Sequence, residues 1–136
     1  MHKKPLVLVV EDDPVLAQAM SIKFTSSGFR TIIAQDGDEA LRELRRELPQ
    51  VVILDILLPK KNGFDVLKEI KVDPIWKQIP VLIASNLESD KDIEKGYSLG
   101  AGDYIVKSNL SLEELVKKVI FLIDSSDIKG HSQKGS

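Results

Sequence analysis

Cysteine is absent from the chain, so disulfides, thiolate metal sites and thiol nucleophiles are all excluded. That absence also fits a reducing compartment. No apolar run approaches the ~20 residues that a membrane-spanning helix needs. The N-terminus, Met1-His2-Lys3-Lys4-Pro5, leads straight into a short apolar segment and lacks the features of a signal peptide. A soluble cytoplasmic domain is the expectation. Neither charge sign prevails, with 19 Lys and Arg against 21 Asp and Glu, so nothing argues for non-specific nucleic-acid binding. Internal repeats and low-complexity linkers are missing too. A length of 136 residues suits one domain. Such a chain buries roughly two-thirds of its unfolded surface, enough to fold without a structural metal.

What the sequence does contain is alternation. Leu6 to Val10, Val51 to Leu54 and Val81 to Ala84 are short continuous apolar runs, which suit strands buried on both faces of a parallel sheet. Arg30 to Ala34 and Tyr104 to Val106 are weaker strands, expected nearer the edges. Helical patterns lie between them. Pro14 to Ser27 opens on a proline and stops before Gly28. Asp36 and Glu39 begin a capped helix whose stripe is Leu41, Leu44 and Leu48. Asn62 to Lys71 groups Val66, Leu67 and Ile70, and Asp73-Pro74 ends it. Lys91 to Leu99 is the least convincing helix, because Gly96 weakens its interior. Ser111-Leu112-Glu113-Glu114 has capping-box spacing ahead of Leu115, Val119 and Leu122. Five strand-then-helix units predict an α/β domain over residues 4–124, with helices on both faces of a parallel sheet. Residues 125–136 have no apolar stripe and are expected to form a disordered tail.

In such a sheet, ligands bind beyond the carboxyl ends of the strands. The first strand ends in Glu11-Asp12-Asp13, the third in Asp55, the fourth in Ser85 and the fifth in Lys107. Crowded carboxylates repel one another, so they must protonate or share a cation. An all-oxygen set suits Mg²⁺ or Mn²⁺ better than zinc. With a lysine and a hydroxyl beside it, the set suits phosphoryl transfer to a carboxylate. Singly, these residues have plainer readings. Asp13, directly before Pro14, reads as a helix cap; Lys107 alone would be a solvated lysine and Ser85 a turn residue. Asp55 resists that treatment, because it sits between Val51 to Leu54 and Ile56-Leu57-Leu58. A charge in such a run needs compensation or a task.

Val9-Val10-Glu11-Asp12-Asp13, Leu54 to Pro59, Asn62-Gly63-Phe64, Ala84-Ser85 and Asp103 to Lys107 together resemble the receiver domain of two-component response regulators. Asp36 to Leu41 and Gly100 to Tyr104 resemble it as well. The resemblance runs from Lys4 to Ile123 and is closest to single-domain, chemotaxis-type regulators. It implies a flavodoxin-like, doubly wound five-stranded parallel sheet of strand order 2-1-3-4-5 with five helices. It implies Asp55 as phosphoacceptor, supplied by a phosphohistidine on a sensor histidine kinase or phosphotransfer protein. Asp12 then contacts Mg²⁺ (or Mn²⁺) directly, Glu11 acts through water, and Asp55 and the Leu57 backbone carbonyl complete the protein ligands. Lys107 pairs with the phosphoryl group, Ser85 is the switch hydroxyl and Tyr104 the switch aromatic. A phosphoryl dianion would draw Ser85 and Lys107 inward and re-sculpt the face made by the fourth helix, fifth strand and fifth helix. The output expected is protein binding at that face, to a downstream target or to a second copy, with no direct contact to nucleic acid or membrane.

Two positions depart from the family pattern. Ser108 follows Lys107 where proline is usual, which puts the loop's route in question. Asn86, in place of a small residue, is expected to face solvent. Leu57 and Leu87, two residues beyond Asp55 and Ser85, are both apolar, so poor orientation of attacking water and a long-lived acyl phosphate are expected. Competing readings fare less well. An aspartate-nucleophile phosphatase wants an Asp-x-Asp arrangement at its first strand, which Asp12-Asp13-Pro14 does not supply. A flavin domain wants a phosphate cradle where this chain has an acidic loop. A receiver-like interaction module that takes no phosphate has no need of the acidic pair, Asp55 and Lys107.

Overall fold

In the computed structural model the backbone is described for residues 4–135 and the side chains for residues 4–126. Five parallel strands form one sheet, β1 (Leu6–Val10), β2 (Arg30–Ala34), β3 (Val51–Leu54), β4 (Val81–Ser85) and β5 (Asp103–Val106), in the order β2-β1-β3-β4-β5. The expected flavodoxin-like order is the one found. Helices α1 (Pro14–Ser26), α2 (Gly37–Arg46), α3 (Gly63–Val72), α4 (Asp90–Ser98) and α5 (Leu112–Gly135) fill the crossovers. The three apolar runs form β1, β3 and β4 and are buried throughout, whereas β2 and β5 are half-buried edges.

Alternation along each strand sorts the core into two layers. Leu8, Val10, Val52, Leu54 and Ile83 face α2 and α3, packing on Leu41, Leu44, Phe64, Leu67 and Ile70. Val7, Val9, Ile53 and Leu82 face α1 and α5, packing on Met20, Phe24, Leu115 and Val119. Each fully buried side chain of this size contributes about 2 kcal/mol of apolar transfer. The frame that holds the strand ends is thus anchored from both sides.

Helix boundaries follow their capping chemistry. Asp13 caps α1, its Oδ1 accepting from the Val15 N–H at 3.0 Å and the Leu16 N–H at 3.4 Å, which is the structural role read for it. Asp36 caps α2 through the Glu39 N–H at 2.8 Å, and Asn62 caps α3 through the Phe64 N–H at 2.7 Å. One expectation about the helices needs amendment. Leu48 is not part of the α2 stripe: the helix ends at Arg46, Glu47 is extended, and Leu48 is 51% exposed. The cause is Pro49, which disfavours helical backbone at the residue before it. The backbone of α5 is helical as far as Gly135, through most of the segment expected to be a tail. Its apolar stripe ends near Ile123, but backbone i to i+4 bonding needs no stripe. Residue 136 and the side chains from 127 onward lie outside the described residues.

Candidate functional site

The strand register delivers the polar residues to one rim. Val10 of β1 pairs with Leu54 of β3, so Glu11 and Asp55 leave the sheet side by side. The Asp55 N–H donates to the Val10 carbonyl at 3.0 Å, extending the ladder one residue beyond the strands. On the far side Ser85 pairs with Val106, which sets Lys107 just past the end of β5. Each side chain is therefore placed by sheet hydrogen bonds rather than by a free loop.

Four groups meet there. Lys107 Nζ lies 2.6 Å from Glu11 Oε1 and 2.6 Å from Asp55 Oδ2. Oxygens of Glu11, Asp12 and Asp55 come within 4.8 Å of one another. Glu11 and Asp55 are buried and Asp12 is exposed. The Asp55 carboxylate is oriented by its own loop, with Oδ1 accepting from the Ile56 N–H at 2.7 Å and the Leu57 N–H at 3.3 Å. Glu11 Oε2 accepts from the Asp13 N–H at 3.0 Å. Burial pushes the Glu11 carboxyl above its usual range, opposed by Lys107 and the Asp13 N–H and assisted by Asp55. Burial acts to lower Lys107, but the hydrogen bonds and charges of Asp55 and Glu11 outweigh it and hold the ammonium above its ordinary value. Three carboxylates face one lysine, an excess of two negative charges in a partly desolvated space. The donor set is all oxygen, and the exposed Asp12 keeps one side open to water. That combination fits a small hard divalent cation such as Mg²⁺ or Mn²⁺.

The switch residues read from the sequence occupy the adjoining strands. Ser85 is fully buried at the end of β4, and its Oγ accepts from the Leu87 N–H at 3.3 Å. The Tyr104 ring packs half-buried against the α2–α3 side of the core. Its hydroxyl donates to the Leu87 carbonyl at 2.6 Å. Burial is the main cause of a phenol held above its usual range. No peptide bond among the described residues is cis. After Lys107 the chain makes a short 3-10 turn, Lys107–Asn109, closed by the Leu110 N–H on the Lys107 carbonyl at 3.0 Å. With serine in place of proline, the lysine still reaches both carboxylates. Asn86, expected to face solvent, is exposed.

The response regulator receiver domain matches the chain over residues 7–120. The chain belongs to this family. It is thus a receiver domain of the two-component systems, a signalling domain, and the resemblance read from its motifs is correct. Among relatives, the alkaline phosphatase synthesis transcriptional regulatory protein PhoP of Bacillus subtilis is 31% identical over 99% of this chain and 57% of its own length. The DNA-binding response regulator MtrA of Mycolicibacterium smegmatis is 35% identical over 83% of this chain and 48% of its own. The chain spans about half the length of the curated relatives it matches. Among solved structures, the Francisella response regulator 1452 receiver domain shares 33% identity at a TM-score of 0.83, covering 90% of this chain and 98% of that one. The Mn²⁺-bound form of response regulator Rcp1 shares 32% at a TM-score of 0.75, covering 86% and 89%.

Two glycines that shape the receiver rim were not assigned a task from the sequence. A Cβ on Gly63 would overlap the Asp55 carbonyl oxygen and lie 2.6 Å from the Ile56 Cα. The Gly63 N–H donates to the Ile56 carbonyl at 2.8 Å, folding the loop after Asp55 back on itself. A Cβ on Gly37 would lie 2.6 Å from the Lys61 Cβ, so the start of α2 is seated on the same loop. The resemblance flagged both segments, but the crowding depends on neighbours distant in sequence.

Proposed function

We propose that Asp55 is the phosphoacceptor of this receiver domain, and that its phosphorylation state controls protein binding at the face formed by α4, β5 and α5. The observation that carries the reading is Asp55 itself: a buried carboxylate gripped by Lys107 and two backbone N–H groups, with Glu11 and Asp12 within a few ångströms. Asp12 would hold Mg²⁺ (or Mn²⁺) directly, Glu11 through water, with Asp55 and the Leu57 backbone carbonyl as the remaining protein ligands. The similar response regulator Rcp1 has been solved in a Mn²⁺-bound form, which supports that cation class. When bound, the ion neutralises phosphoryl oxygens and so favours attack by an anion.

The protein's own groups do the rest. The Ile56 and Leu57 N–H groups fix the plane of the Asp55 carboxylate, pre-setting the attack direction. An Asp55 oxygen bonds to phosphorus as the P–N bond to the donor histidine breaks, and the imidazole leaves with the electron pair and takes up a proton. Lys107 remains beside the new phosphoryl oxygens and offsets their charge. Ser85 Oγ, drawn to a phosphoryl oxygen, changes its relation to the Leu87 N–H, and Tyr104 follows through the Leu87 carbonyl. The donor is a sensor histidine kinase or phosphotransfer protein, as membership of the family implies, and we place the chain in the cytoplasm. Relatives of about twice the length are named transcriptional regulators, so a transcriptional output of this signal is included in the proposal.

Incubation with Mg²⁺ and a small acyl phosphate donor, followed by intact mass, tests the assignment. The parent should gain one phosphate and Asp55→Asn none. Equal gain in both would move the acceptor elsewhere.

A further inference from the structure

Glycine is an unfavourable residue within a helix, yet Gly96 sits buried in the last turn of the nine-residue α4. The surroundings explain its presence. A Cβ built there would lie 3.1 and 3.3 Å from Cδ2 and Cε2 of the Tyr104 ring, and 2.7 Å from the Ile83 Cδ1. A methyl here would thus press on the ring more closely than an ordinary van der Waals contact, and more closely still on the Ile83 methyl. Two contacts hold this end of helix α4. The Lys95 ammonium stands 4.5 Å from the centre of the Phe64 ring in α3, and the Gly96 carbonyl accepts from the Ala101 N–H at 3.0 Å. Ile83 lies directly across the ladder from Tyr104 and is itself fully buried, so its methyl has little space to retreat.

We infer that Gly96 is the positioning residue that admits Tyr104 to its inward seat, and so couples the rim around Asp55 to the α4–β5–α5 face. The second contact of the ring makes the coupling specific. Its hydroxyl holds the Leu87 carbonyl, and the N–H of the same residue rests on Ser85 Oγ. One residue, Leu87, thus joins the switch hydroxyl to the aromatic, while Gly96 decides whether the aromatic can stay. A methyl at 96 crowds the ring without touching Glu11, Asp12, Asp55 or Lys107. Phosphoryl uptake should survive while its read-out at the face is lost. This deepens the proposed function and rests on it for the read-out, but not for the seat of the ring.

The test uses 3-fluorotyrosine and ¹⁹F NMR in a Tyr97→Phe background, where Tyr104 gives the only tyrosine signal. In the unmodified protein, Gly96→Ala should move this signal toward that of free fluorotyrosine and raise its solvent-isotope shift. Phosphate gain by mass should stay within about twofold of the parent, while the phosphorylation-induced ¹⁹F shift disappears. An unchanged ¹⁹F signal in Gly96→Ala overturns the inference. If the parent takes up no phosphate, the phosphoacceptor reading fails, and the comparison of unmodified proteins still decides the role of Gly96. If Gly96→Ala unfolds, the double variant Gly96→Ala/Tyr104→Ala should recover the thermal midpoint of Tyr104→Ala. Failure to recover would place the crowding elsewhere and also overturn the inference.

Discussion

Lys107 holds two carboxylates at 2.6 Å while its side chain is only 13% exposed. Removing one partner from a buried ion pair costs about 3–5 kcal/mol, because the remaining charge stays desolvated. The rim is open on the Asp12 side, so the cost here should be nearer 2 kcal/mol. Lys107→Met is therefore expected to lower the urea midpoint without divalent ions, and Mg²⁺ should restore more stability to the variant than to the parent. A midpoint equal to the parent's would mean that the lysine contributes nothing net. Gly63→Ala is the sharper residue-scale case, because its methyl meets backbone at Asp55 and Ile56 and nothing there can rotate away. A loss of about 3 kcal/mol or more in chemical denaturation is expected, with phosphoryl uptake reduced as the Asp55 loop shifts. The acidic residues and the lysine were legible in the sequence because a charge that ends an apolar run stands out. The contact demands on Gly37, Gly63 and Gly96 were not, since empty space belongs to the neighbours and not to the glycine.

Elements carry the rim, and their caps are the weak points. The Asp36 carboxyl is held below its usual range, chiefly by the Glu39 N–H, with Lys60 assisting against the opposing effect of burial. A depressed folded-state pKa means that this stabilisation is complete above the ordinary carboxylate value, about 3.9. It is lost as pH falls through the lower folded value. Asp36→Ala should cost about 1 kcal/mol at pH 7, and the gap between parent and variant should narrow below about pH 4. A gap independent of pH would point to packing at the start of α2 rather than to the cap. Two loops, after β3 and after β4, present Leu57, 53% exposed, and the half-buried Leu87. Neither side chain can orient a water molecule by hydrogen bonding. Leu57→Asn or Leu87→Glu should shorten the acyl phosphate lifetime about tenfold, the scale of one well-placed polar group at ~1.4 kcal/mol. Equal half-lives would discard this account. The element pattern itself was readable from periodicity, but Leu48 was placed in α2 because its spacing fits. Pro49 overrode the spacing, a local backbone restriction that defeats a correct apolar count.

For the whole molecule, alternating short apolar runs and amphipathic stretches determined the layers, and right-handed crossovers left few ways to order five strands. The order 2-1-3-4-5 came through the resemblance, because periodicity alone does not say which strand neighbours which. The rim gathers three carboxylates against one lysine. Without a divalent ion that excess of negative charge opposes folding, and with one it becomes a source of stability. Ion at about 100 times its dissociation constant should add about 2.7 kcal/mol, or on the order of 10 °C in Tm for a domain of this size. Asp12→Asn separates the two effects, because it removes a repelling charge and a ligand together. Its Tm should rise above the parent's in chelator and respond much less to Mg²⁺, so the two melting curves cross as the ion is added. If instead Asp12→Asn lowers Tm in chelator and keeps the full Mg²⁺ response, the rim's acidity is not what ties folding to the cation.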